Sequence, residues 1–288
     1  MAASEDSLDY DVVRRYFDNA GHAASAAASY MAHGQDLPDD AMRYRFKLEL
    51  RTLADWLDAV PKSAAVLDIG CGAGAWTTVF AARYARVVGI EGSSSMVATA
   101  RACTQHLTNT RILEGDARID VPQEPFQLAF LGGLCMYLND DDVVALLIEL
   151  DARLASRGPI ILRESTVPDL RRTSAGGYQA VYRTVEEYHD LFRRAGFSTI
   201  DTRRNYGYTA MEMAIELVGL RRKWFPFVPK RSKTLGWLTW WSLRVIGPMS
   251  FGLLPRLLGR LRIGWPPLQN HFFRVIREPR PRTSAKKI

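Results

Sequence analysis

From residue 64 onward the chain repeats one pattern: a short apolar run, a glycine or an acid, a stretch of helical periodicity, then another short apolar run. The runs are Ala64–Ile69, Arg86–Ile90, Thr110–Leu113, Phe126–Leu131, Pro159–Arg163 and Phe197–Arg204, and Asn270–Arg277 reads as the last strand. The intervening helices are expected at Ala75–Tyr84, through Met96 to His106, at Asp141–Leu154, and at Thr184–Ala195, where Gly196 supplies a stop. Strands alternating with helices of this length demand right-handed crossovers and a largely parallel sheet, an α/β architecture. Before it lie two helices. Residues 8–35 carry Tyr10, Val13, Phe17 and Ala20 at helical spacing; Ala41–Val60 carries Phe46, Leu50, Leu53 and Leu57 in a stripe and stops at Pro61.

The turn Gly70-Cys71-Gly72-Ala73-Gly74 follows the first strand. A parallel strand that ends in glycines and turns into a helix presents backbone amides at the carboxyl edge of the sheet, where doubly wound proteins hold their ligands. Glycine lets the backbone approach a ligand closely. Alone, such a turn serves equally well as a structural corner. Two acids strengthen the ligand reading. Glu91 closes the second strand, where a carboxylate can accept both hydroxyls of a ribose. Asp116 follows the third strand in Glu114-Gly115-Asp116-Ala117, where it can accept from an adenine amino group. Each acid by itself reads as a solvated strand-end residue, but three consecutive strand-loop positions together favour a nucleotide-type site.

These residues resemble the class I S-adenosylmethionine-dependent methyltransferases, over about residues 40–204 and the final strand. Asp68 inside the glycine motif and the second acid at Asp116 fit that family better than a nicotinamide dehydrogenase. The resemblance implies S-adenosyl-L-methionine as cofactor, S-adenosyl-L-homocysteine as product, and a doubly wound, Rossmann-like, seven-stranded mostly parallel sheet with its last strand antiparallel. It further implies cofactor contacts from Asp68, Gly70, Cys71, Gly72 and Gly74 near the methionine part, and from Glu91 and Gly92 at the ribose. Met96 would lie by the adenine, Asp116 and Ala117 would read its edge, and Leu131 with Gly132 would line the far side.

In this family the loops after the fourth and fifth strands carry acceptor-side groups, which points to Tyr137, Arg163, Glu164 and Ser165. Tyr137 and Glu164 are catalytic candidates, joined by His33 (with His22 as its neighbour in the N-terminal lid region); a packing role for Tyr137 and a surface role for the histidines are the alternatives. Charges at the end of a buried strand need partners, so Arg163 and Glu164 meet either a ligand or each other. Leu162–Ser165, Val181-Tyr182-Arg183, Glu187-Tyr188 and Leu191-Phe192 are similar to the phosphoethanolamine N-methyltransferases. There a Tyr-Arg pair at the position of Tyr182 and Arg183 helps bind the substrate phosphate, so Arg163, Tyr182 and Arg183 are the substrate-binding candidates. Met136 stands where that resemblance calls for a catalytic histidine, which argues against a soluble phosphobase but leaves a phosphate-bearing or amine acceptor open.

The net charge of +7 conceals an acidic body with one basic block. Residues 217–277 hold 12 Lys or Arg, no Asp or Glu, and five of the seven Trp, whereas everything before them sums to −8. Such asymmetry points to a surface partner. Apolar, Trp-rich stretches flanked by basic residues suit a membrane interface. Arg244 and Gly247-Pro248 argue against a simple span. A soluble lid or dimerisation element is the competing reading, and the long uncharged runs disfavour nucleic acid.

The expected domain organisation is a helical cap (1–62), a methyltransferase core (63–204 and 270–278), an inserted basic, aromatic helical segment (205–269) and a disordered tail (279–288). Cys71, Cys103 and Cys135 form neither a disulfide framework nor a metal-ligand spacing, and His189 and His271 sit in no ligand cluster. The polar start, Met1 to Tyr10, is unlike a secretory signal, so a cytoplasmic location is expected, peripheral on the inner face of the membrane if the basic block binds lipid. The expected function is methyl transfer to nitrogen or oxygen of a hydrophobic, lipid-like or lipid-linked acceptor. A soluble natural product or amine under an inserted lid is one alternative, and a non-catalytic cofactor-binding interaction protein is another.

Overall fold

Strands β1 (Ala65–Ile69), β2 (Arg86–Glu91), β3 (Thr110–Glu114), β4 (Leu128–Leu131), β5 (Ile160–Thr166), β8 (Thr199–Arg204) and β9 (Gln269–Ile276) form one sheet in the order β3-β2-β1-β4-β5-β9-β8. All are parallel except β9, which runs antiparallel to both neighbours. The seven-stranded, mostly parallel sheet expected above is therefore present. A short hairpin of β6 (Arg172–Ser174) and β7 (Ala180–Tyr182), unforeseen in the sequence, lies apart from it. The computed structural model describes residues 7–21, 37–155, 158–225, 227, 232–247, 249, 253–261 and 265–277. His22, His33, the expected helix beyond residue 21 and the tail 279–288 lie outside the described residues.

Alternating side chains divide the strands between two apolar layers. Leu67, Ile69, Ala129, Leu131, Ile160, Leu162 and Phe273 face α5 (Asp140–Arg153) and α6 (Val185–Arg194). Val66, Leu128, Phe130, Ile161 and Phe272 face α2 (Asp39–Asp58) and α3 (Ala75–Ala81). Period two also separates neighbours on β5: Arg163 and Ser165 face the α2 side, and Glu164 the α6 side. Asp39 and Asp40 favour the N-terminus of α2, and Thr184 with Glu187 closes a capping box on α6.

Strand order reverses between β1 and β4, so the loops at their carboxyl ends diverge and leave a crevice. Three elements cover it. One is α1 (Tyr10–Gly21), joined to α4 (Ser94–Thr104) where Ser93 Oγ donates to Asp18 Oδ1 (2.8 Å) and Ser95 Oγ to the Asp18 carbonyl (2.7 Å). The second is α2. The third is α7 (Tyr206–Trp224), the first helix of the segment between β8 and β9, followed by α8 (Lys233–Val245) and α9 (Leu254–Arg260). The helix expected at Met211–Arg222 begins five residues earlier because Asn205 caps it, accepting from the Tyr208 amide at 3.0 Å. Gly207 packs tightly against α2: a Cβ there would lie 2.5 Å from the Arg45 carbonyl oxygen.

Candidate functional site

The crevice is a cavity of about 660 Å³ with two chemically distinct ends. At the β1–β3 end, Gly70, Cys71, Gly72 and Ala73 form one wall. Gly70, Gly72 and Gly74 all have positive φ (64°, 55° and 85°), a conformation that strains any other residue. The Glu91 carboxylate fixes this turn: Oε2 accepts from the Gly72 amide and Oε1 from the Ser93 amide, both at 2.9 Å. Each oxygen retains a lone pair. A Cβ on Gly72 would meet nothing within 4 Å, so the backbone here borders open cavity. Burial pushes the Glu91 carboxyl up from its usual range. Asp68, also in the wall, accepts from Thr77 Oγ1 at 2.6 Å, and burial pushes it up to about 7.

Gly92, Met96, Asp116, Ala117 and Gly132 border the same cavity. Met96 is buried against Phe17 and Ala73. Asp116 is less available than the sequence suggests: both oxygens engage Arg118, which donates from its backbone amide (2.9 Å), Nε and Nη2 (2.6 Å). Burial would raise its pKa, but the Arg118 guanidinium holds it below the usual range. Arg118 in turn lies 3.7 Å from the ring centroid of Tyr10, which α1 brings into the roof. Two expected contacts fall elsewhere. Gly74 turns away from the cavity toward Ala100 and Thr104, and Leu131, the last residue of an alternating strand, points into the α5–α6 core. The glycines' neighbours Phe17, Trp76 and Arg118 carried no sequence signal for this role.

At the other end, Met42, Arg45 and Phe46 of α2, Met136 and Tyr137, Arg163 and Ser165 of β5, and Tyr208 of α7 border the cavity. Tyr137 packs edge-on against Phe17 (4.9 Å) and its hydroxyl lies 3.2 Å from that of Tyr178, which is 2.9 Å from Tyr182 Oη. Burial pushes the Tyr137 phenol far up, so it stays protonated and can act only as a hydrogen-bonding group.

Several predicted roles need correction. Arg163 and Glu164 do not pair, because successive strand residues face opposite ways. Arg163 Nε donates to Glu49 Oε1 at 3.1 Å, across the α2 side. Glu164 is fully buried behind the cavity, accepting from the Cys135 amide (3.1 Å) and Tyr188 Oη (3.4 Å), and burial pushes it up to about 7. It does not reach the reacting space. Arg183 is likewise fully buried, donating to the carbonyls of Cys135 (2.7 Å) and Leu138 (2.6 Å) and to Asp140 Oδ1. It braces the loop after β4 and does not border the cavity; neither does Tyr182. His33 lies outside the described residues.

Glu49, missed in the sequence, organises this end. Fully buried, its Oε1 accepts from Arg163 and from Asn205 Nδ2 (2.9 Å), with Arg45 Nε at 3.6 Å. Burial alone would raise its pKa, but the two guanidiniums hold it below the usual range. A Glu four residues after an Arg on an amphipathic helix looks like an exposed ion pair, so only the closing-over of α7 reveals it as interior.

Residues 66–158 match the family model described as a methyltransferase domain. Phosphoethanolamine N-methyltransferase 1 of Caenorhabditis elegans is 29% identical over 168 residues, covering 54% of this chain and 35% of that protein. Trans-aconitate 2-methyltransferase of Azoarcus sp. (strain BH72) is 33% identical over 130 residues, covering 43% of this chain and 49% of that protein. The chain thus spans a third to a half of the length of these relatives. Among solved structures, phosphoethanolamine N-methyltransferase 1 of Haemonchus contortus, in complex with phosphoethanolamine and S-adenosylhomocysteine, superposes with a TM-score of 0.53 at 19% identity, covering 94% of this chain and 50% of that one.

Proposed function

We propose that this chain, whose residues 66–158 are a methyltransferase domain of the S-adenosylmethionine-dependent class, methylates a hydrophobic, lipid-like acceptor at a membrane surface. The cofactor, when bound, supplies an electrophilic methyl group on a sulfonium. The chain's own contribution is placement and exclusion of water. Glu91 takes the ribose hydroxyls with the lone pairs left after Gly72 and Ser93. The Gly70–Ala73 backbone lies along the methionine part, Met96 and Ala117 flank the base, and α1 covers the pair. Apolar Phe46, Trp76, Met136 and Tyr137 then keep the passage from cofactor end to acceptor end dry.

The observation that carries the acceptor reading is α8. Its inner face buries Gly236, Trp240 and Leu243. The outer face, which in a solvent-facing helix would be polar, presents Trp237, Trp241 and Val245 one turn apart, with Trp237 and Trp241 stacked at 6.2 Å. Trp224, Phe225, Phe227, Ile246, Met249 and Leu257 add exposed apolar surface in the same acid-free block. Apolar aromatic surface among basic residues fits the interface of an anionic bilayer, where each cation near the surface contributes roughly 1 kcal/mol. No helix among the described residues is long and apolar enough to cross a membrane. The insertion also serves as a lid in part, since Tyr208 of α7 borders the cavity.

Two measurements test this reading. Calorimetric titration should give saturable binding of S-adenosylmethionine, with competition by S-adenosylhomocysteine and none by NAD; no binding would overturn the enzyme assignment. Sedimentation with phosphatidylglycerol liposomes at low salt should pellet the protein, and phosphatidylcholine liposomes should not. Failure to pellet removes the membrane half and leaves a soluble acceptor under the α7 lid.

A further inference from the structure

Among the described residues, the acceptor end gathers arginines around few carboxylates. Arg45 and Arg163 converge on the single carboxylate of Glu49, and all three side chains are nearly sealed from water, at 10%, 12% and 0% exposure. A buried charge in excess is costly unless something pairs with it. The next acid, Glu212, is four residues beyond Tyr208 on α7, and burial pushes it up to about 7, so it supplies only part of a negative charge at neutral pH.

The free valences belong to Arg163, which borders the cavity. Arg163 meets Glu49 through Nε, and its two terminal amino groups make no hydrogen bond to the described residues. They lie against the loop after β4, where Nη1 is 3.8 Å from the place a Cβ on Gly133 would take. Those two groups form the fork that matches a carboxylate or a phosphate. The Tyr208 hydroxyl is buried and makes no hydrogen bond within normal distance, although Ser165 and the Glu212 carboxyl face it, and its ring centroid is 5.6 Å from Arg163 Cζ. Ser165, two residues along β5 from Arg163, brings a second hydroxyl to the same wall. A buried, unmatched donor beside an unsatisfied guanidinium is a half-built polar site.

We infer that this end of the cavity is a subsite for an anionic group of the acceptor, a carboxylate or a phosphate, held by the Arg163 fork with the Tyr208 and Ser165 hydroxyls as donors. The inference deepens the methyltransferase reading and rests on it. It replaces the phosphate role expected of Tyr182 and Arg183, whose polar atoms are taken up by Tyr178, Asp140 and backbone carbonyls. Combined with the apolar passage, it describes an acceptor with a hydrocarbon body and one acidic group.

The test is calorimetric, on the full chain saturated with S-adenosylhomocysteine, using decanoate, decyl phosphate and decanol below their aggregation limits. At least one anion should bind about tenfold or more tighter than decanol, as one charge-assisted hydrogen bond requires, and the tighter of the two names the acidic group. Arg163→Gln should abolish the preference. Tyr208→Phe, which keeps the ring and removes one hydroxyl, should weaken the preferred anion by about three- to tenfold, and it carries the test if Arg163→Gln does not fold. Decanol binding as tightly as both anions, or a preference untouched by the variants, overturns the subsite. Titrating S-adenosylhomocysteine into the ligand-free protein beforehand separates the two readings: if it does not bind, the methyltransferase reading fails as well.

Discussion

Glu91→Gln is the substitution that best isolates the cofactor site, because the native carboxylate is asked to do two jobs with four lone pairs. Its oxygens each accept one backbone amide at 2.9 Å, from Gly72 and Ser93, and each would turn its second lone pair toward a ribose hydroxyl. Glutamine preserves the shape but has one acceptor. Its NH₂ must face either the Gly72 or the Ser93 amide, donor against donor, and a buried unmatched donor costs about 1–3 kcal/mol of stability. The same change removes at least one charge-assisted bond to the cofactor, worth about 1.5–3 kcal/mol, so the Kd for S-adenosylhomocysteine should rise roughly ten- to a hundredfold. Calorimetry reads the second effect and urea unfolding the first. A lower unfolding midpoint with an unchanged Kd would refute the ribose assignment, leaving Glu91 as a tie for the glycine turn alone. Because burial raises the Glu91 pKa, acidification should weaken cofactor binding in the native protein by protonating it, and the Gln variant should lack that dependence.

Other consequences follow from the buried charges and the outer surface. Arg183→Met should destabilise the fold by about 1–3 kcal/mol in urea unfolding, since it removes the side-chain donor to the Cys135 and Leu138 carbonyls and one of the two arginines on Asp140, the other being Arg171; a purely substrate-binding arginine would leave stability unchanged. Asp68, Glu164 and Glu212 titrate in the fold at about 7, well above their unfolded values near 4. The folded state therefore takes up protons first, and stability should rise as pH falls from 8 toward 6.5. Below that, His271, held down to about 4 by burial and by Arg204 and His189, opposes the trend because the unfolded chain then binds more protons. Glu164→Gln should raise the unfolding midpoint at pH 8 and flatten the slope; a midpoint that falls between pH 8 and 6.5 would contradict the carboxyl assignments. Replacing Trp224, Trp237 and Trp241 together by Ser should abolish pelleting with phosphatidylglycerol liposomes while sparing S-adenosylhomocysteine affinity, and retained pelleting would place the lipid contact elsewhere.

The sheet was legible because each strand is a short apolar run with its own stop, and a parallel sheet covered on both faces needs little more. The cofactor end was legible for a related reason: Asp68, the glycines, Glu91 and Asp116 all fall at the carboxyl ends of three successive strands, β1, β2 and β3, or in the loops just after them, so spacing along the chain reflects spacing in the fold. The acceptor end has no such locality. Glu49 meets residues 114 and 156 positions away, Arg163 and Asn205, and nothing in the local sequence announces either contact. Arg183 misled for the opposite reason. Its local surroundings look like a ligand motif, but the partners that consume it, Cys135, Leu138 and Asp140, lie on a different loop. The early start of α7 had a local signal in Asn205 that the expected helix at Met211–Arg222 did not use, because the Tyr206-Gly207 dipeptide just after it obscured the cap.

The basic block looks in sequence like one insertion with one purpose, yet its helices face two ways. The first turns of α7 are interior: Gly207 is pressed onto α2 and Tyr208 closes the acceptor end. By Trp224, 16 residues and about 24 Å farther along a helix, the chain is at the surface. Helix α8 then returns to α2, where Trp240 packs edge-on against Tyr44 and Nε1 donates to Asp40 (3.4 Å). Asp39 and Met42, the immediate neighbours of that contact, border the cavity. The exposed Trp237 and Trp241 flank Trp240 on the same helix, so the apolar outer face stands within about one helix diameter of the α2 rim of the cavity. On the proposed reading, an acceptor leaving a bilayer held by those tryptophans would meet Met42 and Phe46 of α2 before the Arg163 fork. That order suits a molecule with an apolar body and a charged end, and it makes membrane contact and acceptor choice two readings of the same few residues of α2, α7 and α8.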